Sequence, residues 1–165
     1  MTVKKILITT DLSNYSLAAL EAGVAIGTQF GSRMYLLYVM ETNHPMLTPH
    51  GEDVDSRTWH RKAEEQGRRR LGEFVKQHVG EDVHVTEVVR VGTPVDEIRR
   101  FAELEGVDVI VIASHGWTGL RHILLGSVAE RVVRHSSVPV LTVKPEPLRE
   151  SFLKNEDIES DLHLR

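Results

Sequence analysis

No cysteine occurs in the chain, which excludes a disulfide framework, a thiolate metal site and a thiol nucleophile. Long apolar runs are also missing. The opening MTVKKILITT offers only Ile6, Leu7 and Ile8 together before its threonines, too short for a signal-peptide core, and no later stretch approaches the ~20 apolar residues of a bilayer span. Both absences lead to the expectation of a cytoplasmic protein with no membrane partner. A basic surplus is lacking as well. Lysine and arginine number 20 against 24 acidic residues, a net charge of −4, so nucleic acid is not the expected partner. The densest basic stretch, residues 57–70, also contains Glu64 and Glu65 and reads as a solvated helix face. Internal repeats and low-complexity segments are absent too.

What is present is an alternation of strand and helix patterns. Residues 5–9 read as a short buried strand, and Ser13 is placed to cap a helix carrying Leu17, Leu20 and Val24, stopped by Gly31. A second strand covers residues 34–39. Residues 42–57, with Pro45, Pro49 and Gly51, form a loop of about sixteen residues, long enough to suggest a functional cover over a bound ligand. A helix over residues 59–79 and a strand over 83–91 follow. Thr93-Pro94 opens a third helix that ends near Gly106, and VDVIVIA (107–113) is the most apolar strand. A fourth helix starts near Ser127, and residues 138–143 (VPVLTV) make the last strand.

This pattern predicts a doubly wound α/β domain over residues 1–145. Its five-stranded parallel sheet has order 3-2-1-4-5, with helices on both faces. Residues 146–165 are expected to be a flexible tail. In such sheets ligands sit beyond the carboxyl ends of the strands, at the switch between strands one and four. Asp11 follows strand one and Ser114-His115-Gly116 follows strand four, so both fall there.

Residues 113–127, ASHGWTGLRHILLGS, carry the chemistry. Gly126 and Ser127 directly precede a helix, whose free N–H groups and dipole favour an anion such as phosphate. Ser127-Val-Ala-Glu130 is also a capping box, and both roles are compatible. Other signatures are excluded. GxxxxGK[ST] and GxGxxG are missing, and strand three ends in Arg90-Val91-Gly92 with no phosphate-accepting aspartate. None of the 9 histidines forms a helical i, i+4 pair, so no protein metal site is expected. Ser114, His115 and Asp11 lack the G-x-S-x-G elbow of a hydrolase.

On the segments KKILITTDLS, LLYVME, VGTPVDEI and 107–144, the chain resembles the universal stress protein family over residues 3–144. The family's motif, Gly-x2-Gly-x9-Gly-Ser/Thr, falls on Gly116, Gly126 and Ser127, with Ala113 standing at the first glycine. The resemblance implies a Rossmann-like adenine-nucleotide site. Gly116, Gly126, Ser127 and the Val128 amide would receive the phosphates of ATP, which would arrive with Mg. Asp11 and the Val39 backbone would meet the adenine. Thr9, Thr10, Ile112 and Ala113 would flank base and ribose, and His115 is either a phosphate donor or a turn residue. The implied role is a stress-response regulator with at most slow hydrolysis, since no positioned general base is evident. A homodimer through residues 138–143 is implied as well. Two alternatives stand beside this: a nucleotide-free signalling homodimer, and an enzyme built on Asp11 and His115.

Overall fold

The computed structural model describes residues 2–41, 56–114 and 125–145. They form β1 (Lys5–Thr10), α1 (Leu17–Phe30), β2 (Arg33–Met40), α2 (Ser56–His78), β3 (Val85–Val91), α3 (Pro94–Glu105), β4 (Val109–Ala113), α4 (Ser127–His135) and β5 (Val140–Val143). All strand pairs are parallel, in the order β3-β2-β1-β4-β5. The expected architecture is therefore the observed one.

A parallel sheet buried on both faces needs strands that are apolar throughout. Ile6, Leu7 and Ile8 of β1 and Ile110 and Val111 of β4 are fully buried. Alternate residues feed two cores. Ile6, Ile8, Leu36 and Val111 pack with Leu20 of α1 and Leu71 and Phe74 of α2. Leu7, Leu37, Ile110 and Ile112 pack on the other face with Val95, Ile98 and Phe101 of α3 and Val132 of α4. Glycine lets α1 sit close to the sheet, since a methyl at Gly23 would lie 2.5 Å from Ile8 Cγ1.

Several boundaries differ from expectation, each for a local reason. Helix α1 starts at Leu17 with Ser16 as its cap residue; Ser13 belongs to the preceding turn, where its side chain is engaged by Asp11. Helix α2 begins at Ser56, so the residue range expected as loop loses its last two positions. Strand β4 begins at Val109 because Gly106, at φ 61°, closes α3 and turns the chain; the Asp108 carboxylate then accepts from the Lys4 and Lys5 amides at 2.7 and 2.9 Å. Strand β5 begins at Val140 because Ser136 holds the Val138 amide at 3.0 Å in a turn and Pro139 has no N–H to give a ladder. The proposed tail, residues 146–165, and most of the 42–57 loop lie outside the described residues.

Candidate functional site

The sheet opens at the predicted switch. The ladder between β1 and β4 stops at Ile8↔Val111, although β1 runs on to Thr10 and β4 to Ala113. On the outer sides pairing continues to the ends, at Thr10↔Tyr38 and Ala113↔Val143. The two central strands thus stop pairing before their ends, at the switch where sheets of this kind have their crevice. Thr9 and Thr10 end one strand there, and Ile112 and Ala113 the other; all four are buried. Val39 lies one strand further out, partly buried against the α3–α4 core.

The turn leaving β1 is braced by its own side chains. The Ser13 amide and hydroxyl donate to Asp11 Oδ1 at 3.0 and 2.5 Å. Ser16 Oγ donates to the Ser13 carbonyl at 2.8 Å, so at the 2.8 Å contact between the two hydroxyls it is Thr10 that donates to Ser16. Thr10 Oγ1 in turn accepts from the Leu12 amide at 2.9 Å. These bonds hold Leu12 at φ 64°, the one non-glycine residue with positive φ among the described residues. Such a conformation costs roughly 1–2 kcal/mol for a side-chain-bearing residue and persists only where its surroundings over-determine it. Asp11 therefore serves as a turn brace and not as a cap of α1. The Thr10 hydroxyl is committed to the fold; by the alternation of the ladder it is Thr9 whose backbone groups turn toward β4.

On the other side of the crevice stands the start of α4. The Gly126 amide donates to the Ser114 carbonyl at 2.6 Å, and the Ser114 amide to the Val143 carbonyl at 2.7 Å, tying this helix start to the ends of β4 and β5. Gly126 is the N-cap residue, with φ −65° and ψ 153°, and among the described residues no side chain caps the helix. The expected capping box is therefore not formed: Ser127 is the first helical residue, and Glu130 pairs with Arg134 at 2.6 Å. The Glu130 amide, donating to Gly126 at 2.8 Å, begins the helical ladder. The amides of Ser127, Val128 and Ala129 come ahead of it, where a helix has no partner of its own to offer. Ser127 is exposed.

Of the predicted residues, Thr9, Thr10, Asp11, Val39, Ile112, Ala113, Gly126, Ser127 and Val128 thus gather at the carboxyl ends of β1, β2 and β4 and at the start of α4. His115 and Gly116 lie outside the described residues. Ala113 continues β4 without positive φ, as expected of an alanine there. Two features escaped the sequence. Leu12 carries no signal, since leucine is not a residue that marks left-handed backbone. The other is the pair of Tyr38 and Arg70, whose Nη1 donates to the phenol oxygen at 3.0 Å across 32 positions of sequence. Burial pushes the Tyr38 phenol above its ordinary value, opposed by Arg70 and reinforced by the charges of Asp11 and Glu41.

A doubly wound parallel sheet whose strand order reverses between β1 and β4 belongs to the α/β class in which ligands sit beyond the carboxyl ends of the strands. The comparisons give the family. The model of the Universal stress protein family matches residues 2–144, and the chain belongs to that family. Universal stress protein MJ0531 of Methanocaldococcus jannaschii is 38% identical over 146 residues, covering 86% of this chain and 82% of that protein. The solved structure of MJ0577 from the same organism superposes with a TM-score of 0.71 at 34% identity, covering 88% of this chain and 99% of that one. A universal stress protein from Archaeoglobus fulgidus, solved in complex with dAMP, shares the fold at a TM-score of 0.59 and 21% identity, covering 87% of this chain and 100% of that one. No helix of the described residues is long and apolar enough to cross a membrane.

Proposed function

We propose that this protein is a stress-response regulator that binds an adenine nucleotide, ATP with its Mg, in the crevice between β1 and β4. The observation that carries this reading is the early end of the β1–β4 ladder beside the start of α4, whose first amides come ahead of the helical ladder. The base and ribose would enter between Thr9 and Ile112, against the Val39 backbone and Asp11. The phosphates would reach the Ser127 and Val128 amides, with Gly126, Gly116 and His115 forming the turn around them. A related fold holding dAMP supports the choice of an adenine nucleotide. The metal would come with the triphosphate, since Mg usually binds through substrate phosphates and its own waters. The reading is regulatory because Asp11 is occupied with Ser13 and is not aimed as a base. Heating the purified protein and assaying the supernatant for nucleotide tests it. Release of adenine nucleotide supports the reading; a nucleotide-free supernatant together with no heat on titration with Mg-ATP would reject it.

The nucleotide-free reading is favoured by one feature, the Ala113 methyl in the crevice wall where the family motif has glycine. The same titration decides between the two. A homodimer through β5 belongs to either reading. That strand is a four-residue edge with Leu141 38% exposed, beside Val133 of α4 at 46%. Light scattering at tens of micromolar, order-of-magnitude the range of ordinary association, should give twice the chain mass, and a monomer there would exclude this dimer.

A further inference from the structure

The opposite edge of the sheet carries a feature that the nucleotide reading does not use. β3 pairs with β2 alone among the described residues. The Gly92 amide donates to the Met40 carbonyl at 2.9 Å. By the alternation of a parallel ladder, Val88 and Arg90 then turn their backbone groups toward β2, while Glu87, Val89 and Val91 turn theirs outward. Helix α2 covers one face of β3. On the other face, α3 lies over the neighbouring strands, and a cavity of about 260 Å³ remains between α3 and the edge, lined by Arg90, Glu97, Arg100, Phe101 and Leu104.

The chemistry of this groove is specific. Phe101 is buried and forms the floor, with the Arg90 guanidinium over its ring at 5.7 Å. Arg90 and Arg100 are exposed, and among the described residues neither makes an ion pair. Leu104, 73% exposed, is an apolar rim on the same flank of α3. Charges on an edge strand ordinarily serve to block pairing. Here an aromatic floor and an apolar rim sit beside them, which a purely protective edge does not require.

Size decides what fits. Small-molecule sites usually enclose roughly 300–1,000 Å³, so this open groove is too small for a drug-sized ligand and suits one or two side chains of a peptide. A second copy of this chain is disfavoured, because twofold pairing of β3 edges would bring the same arginine-bearing face of both copies together. We infer that the β3 edge and the α3 groove receive an extended acidic segment of a partner protein. Its backbone pairs with Glu87, Val89 and Val91, a carboxylate sits between Arg90 and Arg100, and an apolar side chain packs on Leu104 and Phe101. Backbone pairing supplies the affinity and the arginines the selection for acidic sequence.

The test uses a fluorescein-labelled peptide alternating glutamate with valine and leucine, with its lysine counterpart as control. Anisotropy should show the acidic peptide binding the full chain at least ~10-fold more tightly than the lysine peptide, with affinity falling as salt rises. Arg90→Gln with Arg100→Gln should weaken it at least ~10-fold while leaving the melting transition in place. Hydrogen exchange is the independent readout: the amides of Glu87, Val89 and Val91 should slow with peptide, and those of Val88 and Arg90 should not change. The inference is overturned by no binding at about 1 mM peptide, by equal binding to the double variant, or by protection confined to other strands. Dimerisation of the protein that is lost in the double variant would assign the edge to a second copy and also overturn it.

Discussion

Replacing Ser127 by proline removes one backbone donor from the proposed phosphate site while leaving the helix in place. Ser127 is the first residue of α4, and its amide lies ahead of the ladder that begins at Glu130. Proline at a first helical position sacrifices no helical bond, and its fixed φ near −65° suits that position. The residue before a proline must be extended, and Gly126 already is, at φ −65° and ψ 153°. Folding stability should therefore hold or rise by about 0.5 kcal/mol through a stiffer unfolded chain. Binding should respond differently. An amide bonded to a charged phosphate is worth roughly 1.5–3 kcal/mol, so Ser127→Pro should weaken Mg-ATP about 10- to 150-fold. Ser127→Ala keeps the amide and should change affinity far less. Calorimetric titration of the three proteins, with thermal melts alongside, separates the terms. A Ser127→Pro protein that melts like wild type and binds ATP equally well would refute the placement of phosphate at this helix start.

Ala113→Gly should lower stability by about 1–2 kcal/mol, from a lost buried methyl and added chain freedom. Its ATP affinity should stay within about threefold of wild type, because Ala113 already sits unstrained in β4. Binding by the glycine variant alone would instead make the methyl the barrier. Gly23→Ala drives a methyl to 2.5 Å from Ile8 Cγ1 and should cost about 1–3 kcal/mol by denaturant unfolding, partly recovered when Ile8→Val is added. A neutral Gly23→Ala would show that α1 shifts freely on the sheet. The Asp108 carboxyl is held below its ordinary value of 3.8 by the Lys5 and Lys4 amides. Its contribution is thus present above that value and lost as pH falls through the lower folded value. Asp108→Asn should flatten the acid limb of the stability profile below about pH 4, and an unchanged limb would remove this cause.

Much of this was legible because the relevant signals are local. Ile6-Leu7-Ile8 and VIVIA could only be buried strands, and Thr93-Pro94 with Gly106 bracketed α3 with its own chemistry. The strand order followed from the alternation of elements, and the order in turn placed Asp11 and Gly126 at one end of the sheet. Cap assignments failed where two candidates competed within a few residues. Ser13 and Ser16 both suit a helix start, and Asp11, by binding Ser13, settles which is free to fill it. Ser127 and Gly126 posed the same choice, and the bond from the Gly126 amide to Ser114 fixes the cap one residue earlier. The Tyr38–Arg70 contact and the groove of Arg90 with Phe101 join distant segments, so no window of sequence contains them.

The most direct test of the account is to add Mg-ATP to the isotopically labelled protein and follow its backbone amides by NMR. The proposal expects saturable shifts that map to Thr9, Thr10, Val39, Ala113, Ser127 and Val128 together, with β3 and β5 unmoved. Absence of any shift at millimolar nucleotide, or shifts confined to the Arg90 and Arg100 groove, would contradict it.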